Sequence, residues 1–186
     1  MKKLVFVITL VFSIPAAQAQ KATKKDDNSK NKEFVIDNSK VLTLHKTIKT
    51  LYDVISAEKG EERNWKQFKH LFYPNAKLIP SGMNEDGVYK AKYLTPDEYI
   101  KNSQKWLKMN GFIEKEIHRR VNSFDNIAHV FSTYECYHSK DEKTPFMRGI
   151  NSIQLINDEN RWWILNIYWS QETNNHPIPK KYLPKK

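Results

Sequence analysis

EIHRRVNSFDNIAHVFSTYE, residues 116–135, decides the fold. Two runs rich in β-branched and aromatic residues flank Asp125-Asn126, a turn dipeptide. The pattern predicts a hairpin of two long strands with Phe124 opposite Ile127. Strict alternation then sorts the side chains. One face carries Ile113, Ile117 and Val121 with Ala128, Val130, Ser132, Tyr134 and Cys136. The other carries Glu114, Glu116, His118, Arg120 and Asn122 with His129, Phe131, Thr133 and Glu135. Burying several unpaired charges is expensive. The apolar face is therefore expected to meet the core and the charged face to point outward. A slip of one residue exchanges the two sets.

Outward from this hairpin, strands are expected over residues 112–124, 127–139, 146–157 and 161–169. In the second pair, Arg148, Ile150, Ser152, Gln154 and Ile156 share a face. In the last strand, Trp162, Ile164, Asn166 and Tyr168 face one way and Trp163, Leu165, Ile167 and Trp169 the other. Both faces are apolar, which implies burial on both sides, one against helices and one against a second copy of the chain. Upstream, Val41, Leu44, Ile48, Leu51, Tyr52 and Ile55 recur at helical spacing, and the helix is expected to end near Lys59-Gly60. A short second helix fits Trp65, Phe68, Leu71 and Phe72, followed by a short strand over 76–79 and a surface loop over 81–92. Thr95-Pro96-Asp97-Glu98 is a capping box that starts a third helix through Tyr99, Ile100, Ser103, Trp106 and Leu107, ending at Asn110-Gly111. Three helices followed by a meander of long strands make an α+β domain, with helices over one face of a curved, mostly antiparallel sheet.

The first twenty residues, MKKLVFVITLVFSIPAAQAQ, have a basic start, an apolar run broken by Pro15, and Ala17-Gln18-Ala19 as a small-x-small cleavage site. They are expected to be a signal peptide over residues 1–19, which places the protein in the periplasm or outside the cell. The run is too short for a stable membrane anchor. Residues 20–40 are expected to form a flexible linker, 41–170 the folded domain and 171–186 a C-terminal tail. The tail is either free or docks back through Tyr182 and Leu183, across a dimer or near a cavity mouth. The formal net charge is +10. Its lysines are dispersed or gathered in the two tails, so no nucleic-acid partner is expected. The single Cys136 cannot form an internal disulfide, which leaves stability to the core.

The order of elements, and above all residues 116–135 and RGINSIQLINDENRWWILNIYW at 148–169, resembles exported members of the nuclear transport factor 2-like superfamily. The superfamily also contains ketosteroid isomerases, scytalone dehydratases and polyketide cyclases. The resemblance implies a cone with an internal cavity closed by the first and third helices, and dimerisation through sheet surfaces. A homodimer through the outer sheet face is accordingly expected.

Function then turns on which residues face the cavity. The expected ligand-binding set is Tyr134, Ser132 and Arg148, with Tyr52 and Tyr99 from the helices and Trp162 from the last strand. These suit an exported protein that binds a small, mainly apolar molecule by burial plus orienting hydrogen bonds. The alternative is an acid–base enzyme, an isomerase, dehydratase or cyclase, which needs a buried acid or a His–Asp pair. On strict alternation the inward set holds no Asp or Glu, so no catalytic residue is assigned. His45 is a lone histidine beside the first helix's apolar stripe. Cys136 is expected to be a buried thiol, with His138 two residues on along the same face. No cofactor and no metal site are expected.

Overall fold

A computed structural model describes residues 33–185. The folded domain is Phe34–Lys186. The expected signal peptide and most of the expected linker lie outside the described residues. No helix among the described residues is long and apolar enough to cross a membrane.

The domain is α+β. Its helices are α1 (Leu44–Ile55), α2 (Trp65–His70) and α3 (Pro96–Asn110). Its strands are β1 (Phe72–Met83), β2 (Tyr89–Ala91), β3 (Ile113–Phe124), β4 (Ile127–Tyr137), β5 (Met147–Asn157) and β6 (Trp162–Gln171). They form one open sheet in the order β2-β1-β6-β5-β4-β3, antiparallel except where β1 runs beside β6. The segment expected as a loop over 81–92 instead holds the end of β1 and all of β2, joined through a turn in which Asn84 accepts from the Val88 amide.

Local chemistry explains the helix boundaries. Thr43 accepts from Lys46 N and starts α1. The chain leaves helical geometry at Ser56, ahead of Gly60, because Ala57 pairs with Phe112 as a β-bridge. Arg63 is almost fully buried and donates from Nε to the Ile55 carbonyl at 2.6 Å, satisfying an end group of α1 that would otherwise be orphaned. At α3, Thr95 Oγ1 accepts from Glu98 N while Glu98 Oε2 accepts from Thr95 N, the expected reciprocal cap. Gly111 ends α3 at φ 72°, and a Cβ there would lie 2.2 Å from the His138 carbonyl oxygen, so the close crossing requires glycine.

The core lies between the helices and one sheet face. Ile48, Leu51 and Ile55 of α1, Phe68 of α2 and Leu107 of α3 meet Val130, Cys136, Ile153, Leu155 and Ile164. Burial of this apolar area is the main favourable term for the fold.

Two β-bulges correct the strand-by-strand expectation. Phe124 does pair with Ile127, and alternation holds inward as far as His118 opposite Thr133. Ile117 is then an extra residue, and Glu116 pairs with Tyr134 and Glu114 with Cys136. Ser132, Tyr134 and Cys136 face the helices as expected. Glu114 and Glu116 share that face, contrary to expectation. In β6, Leu165 is the extra residue between the pairs Leu155–Ile164 and Gln154–Asn166. The core side is therefore Trp162 and Ile164 before the bulge and Ile167 and Trp169 after it. The opposite side keeps Trp163, Asn166 and Tyr168. The two-sided apolar pattern of this strand thus arises largely from a change of phase.

The C-terminal tail lies on the outer face of its own sheet. Thr133 Oγ1 donates to the Tyr182 carbonyl at 2.6 Å, the Tyr182 and Phe131 rings sit 4.9 Å apart, and Ile178 is buried.

Candidate active site

Beneath α1 and α3, against β3 to β6, is a pocket of about 240 Å³. Its walls are mostly apolar, with seven aromatic residues among them. Phe68 stacks on Tyr99 at 5.7 Å, Tyr99 meets Trp169 edge-on at 6.3 Å, and Trp106 meets Phe112 at 6.4 Å. Such packed rings hold the shape of the pocket at little entropic cost.

One carboxylate lines it. Glu114 is only partly exposed, and the pocket it lines is where it is open. Its backbone is fixed from both sides, because Glu114 N donates to Ser56 Oγ at 2.8 Å and Ser56 Oγ donates to Glu114 O at 3.3 Å. Its side chain accepts from Asn151 Nδ2 at 3.1 Å. Burial pushes its pKa from 4.5 to about 7, with the Asn151 hydrogen bond acting in the opposite direction. The pocket wall contains no Arg, Lys or His.

Three tyrosines face this acid. Tyr52 of α1 shares its hydroxyl with Ser132 Oγ at 2.7 Å and accepts from Asn151 Nδ2 at 3.1 Å. Burial holds its phenol, and those of Tyr99 and Tyr134, far above the usual range. All three are therefore hydroxyl donors at neutral pH. The side-chain hydrogen bonds that act on the phenols of Tyr52 and Tyr99 have no counterpart at Tyr134. It sits against Gly149, its cross-strand partner, where a Cβ would approach the oxygen to 2.4 Å. Glycine at 149 thus leaves the room that the Tyr134 hydroxyl occupies.

Of the residues expected from sequence, Tyr134, Tyr52 and Tyr99 line the pocket together. Ser132 is fully buried one step behind it, bonded to Tyr52. Arg148 is elsewhere. It sits opposite Glu135 on the outer face and grips Glu172 through Nε at 2.7 Å, which in turn accepts from Ile178 N at 2.9 Å. The reason is parity, since Gly149, not Arg148, is the partner of Tyr134. Trp162 packs against the core at the far end of β6, and Trp169 is the β6 tryptophan that lines the pocket, as the bulge at Leu165 dictates. Glu114 and Asn151 are the site residues that alternation missed. A signal did exist for Asn151, a polar amide on a strand face whose neighbours are Gly149 and Ile153.

The remaining polar residues of the first hairpin are divided by the sheet. His118, His129 and Glu135 stay outside, with His129 Nε2 on Ser152 Oγ at 2.9 Å. His138 stacks on Phe146 at 4.1 Å. Burial pushes the Cys136 thiol up, away from the thiolate. Among the described residues no group of three or more His, Cys, Asp or Glu side chains could hold a metal ion.

The sequence matches no protein-family model and no curated protein. Solved structures do match. A nuclear transport factor 2-like protein of unknown function from Pseudomonas putida aligns at 8% identity and TM-score 0.53, over 75% of this chain and 93% of its own. A provisionally named scytalone dehydratase from Novosphingobium aromaticivorans aligns at 10% identity and TM-score 0.52, over 69% and 81%. A protein of unknown function with a cystatin-like fold from Nostoc punctiforme aligns at 10% and 0.51, over 72% and 96%. Identity this low speaks to architecture alone. In architecture, the chain has the α+β fold of the nuclear transport factor 2-like superfamily.

Proposed function

We propose that the pocket is an acid–base site acting on a small, neutral, mainly apolar carbonyl compound, with Glu114 as the base and Tyr134 as the oxyanion donor. The observation that carries this reading is a carboxyl group, pushed up to about 7 by burial, in a mainly apolar pocket whose wall also holds Tyr134. The Glu114 carboxylate takes a proton from the carbon next to the carbonyl. The C–H electron pair becomes a C=C bond and the carbonyl oxygen takes the negative charge, which the Tyr134 O–H receives. Return of the proton to another carbon gives isomerisation; where the substrate has a β-hydroxyl, the enolate re-forms its carbonyl and a C=C bond as the C–O bond breaks, and the hydroxyl takes the proton held by Glu114 and leaves as water. A neutral substrate is favoured because the wall offers no cation and the ionised Glu114 repels anions. The leader-like first twenty residues support export, and the apolar walls support a cavity that holds the whole substrate.

The test is proton exchange in D2O, followed by NMR on a panel of small enolisable ketones. The protein should accelerate exchange, with kcat/KM rising through an apparent pKa near 7. Glu114→Gln should lower the rate about 10²–10⁴-fold, and Tyr134→Phe about 10²–10³-fold. A pocket that binds these ketones while Glu114→Gln exchanges them as fast as the wild type would instead be a carrier without chemistry.

A further inference from the structure

We infer that Glu116, through Ser132 and Tyr52, is a positioning residue that fixes which group of Asn151 faces the Glu114 carboxylate. The inference rests on the reading of Glu114 as the pocket base. What carries it is the direction of a hydrogen-bonded chain.

The chain starts at the edge of the sheet. Arg119 and Glu116 form a two-pronged ion pair, through Arg119 Nε at 2.8 Å and Arg119 Nη2. Both side chains are largely buried, 17% and 19% exposed, so the pair is well ordered. A carboxylate so held only accepts. Ser132 Oγ therefore gives its one proton to Glu116 Oε1. Having spent it, Ser132 can only accept on its other side, so Tyr52 must donate to it at 2.7 Å. Tyr52, having spent its own proton, must accept from Asn151. Asn151 is thus forced to turn its NH2 rather than its carbonyl oxygen toward Tyr52. The same Nδ2 reaches Glu114 Oε1 at 3.1 Å. Every donor points the same way, from Glu114's partner to the surface ion pair.

That polarity constrains the pocket in three ways. Glu114 is guaranteed an N–H, which favours its charged form. Tyr52, although it lines the pocket, has no proton left for a substrate, which leaves that task to Tyr134. A flipped Asn151 would place two oxygens face to face whenever Glu114 ionises, and the chain forbids it. The groups facing Glu114 are Tyr52 from α1, Tyr99 from α3, Tyr134 and Cys136 from β4, and Glu116 on its own strand. Of these, only Glu116 is paired with a cation, Arg119.

The sign of one measurement separates this role from plain electrostatics. Glu116→Gln removes a negative charge, which by itself lowers the pKa of a neighbouring carboxyl. It also lets residue 116 donate, which frees Ser132, Tyr52 and Asn151 to reverse and deprives Glu114 of its N–H. The chain thus predicts an upward shift. The carboxyl titration of Glu114 is read by carbon NMR on the full chain labelled at glutamate, without substrate. The expected result is a midpoint raised by about half to one pH unit in Glu116→Gln, and likewise in Ser132→Ala, with thermal midpoints showing folded protein. An unchanged or lowered midpoint in folded Glu116→Gln overturns the inference. If that variant does not fold, an unchanged midpoint in Ser132→Ala overturns it. Because the readout needs no turnover, a raised midpoint in a protein inactive on ketones would sink the proposed reaction and leave the positioning role standing.

Discussion

Glu114 opposes the stability of the fold that surrounds it. In the unfolded chain it ionises near 4.5, and in the native protein near 7. Below pH 4.5 the group is protonated in both states and has no effect. Between 4.5 and 7 the unfolded chain releases its proton first, so the stability of the native state falls as pH rises, and above 7 the loss is complete. Glu114→Gln keeps an acceptor for Asn151 but cannot ionise. It should therefore be more stable than the wild type at pH 8, by about 1–3 kcal/mol after allowing for the part of the group open to the pocket, and indistinguishable from it near pH 4. Thermal unfolding at the two pH values checks this, and a variant less stable than the wild type at pH 8 would contradict it. A stabilising substitution that removes activity is the usual mark of a strained functional group.

Among the helices and strands, the hairpins, the two-residue turn and the capping box of α3 were legible because each depends on neighbours in sequence. The turn at Asp125-Asn126 fixed register as far as His118, and there alternation was correct. It failed beyond Ile117 because a bulge adds a residue without changing composition. Ile113 is buried opposite Tyr137, and an isoleucine fits the interior in either phase, so its hydrophobicity carried no information about the register. The same holds for β6, where a run of Trp, Ile and Leu reads as apolar in both phases. Glu114 was consequently assigned outside by a rule that is sound from the turn up to the bulge. The bulge makes a sharp prediction. Deleting Ile117 should turn the irregular ladder into a regular one and leave Glu114 in the pocket, with its carboxyl still titrating near 7. Were the ladder regular to begin with, the same deletion would swing residues 113–116 across the sheet, and the titration would return to the ordinary carboxylate range.

Across the domain, the outer sheet face is shared. The tail from Glu172 to Tyr182 occupies part of it, held by Arg148, Phe131 and Thr133. Sequence left the tail either free or docked through Tyr182 and Leu183, across a dimer or near a cavity mouth, and Tyr182 instead lies on Thr133 and Phe131 of its own sheet, since long-range docking leaves no local pattern. A homodimer through this face, as expected from the resemblance, has to use the strip around Tyr168 or displace the tail. Truncation after Gln171 should expose Phe131 and Ile150, lower the thermal midpoint and increase self-association in light scattering. A truncated chain that stays as monomeric and as stable as the full one would show that the tail contributes nothing there.

Ser56 ties a helix to Glu114. One hydroxyl at the end of α1 holds both the N–H and the carbonyl of Glu114, so that helix and the carboxyl-bearing residue are coupled directly. Admission of a guest by tilting α1 would drag the acceptor along with it. The helix α3 buries only Leu107 among its 15 residues and has no such tie to Glu114, so an opening on that side would leave the carboxyl where it is.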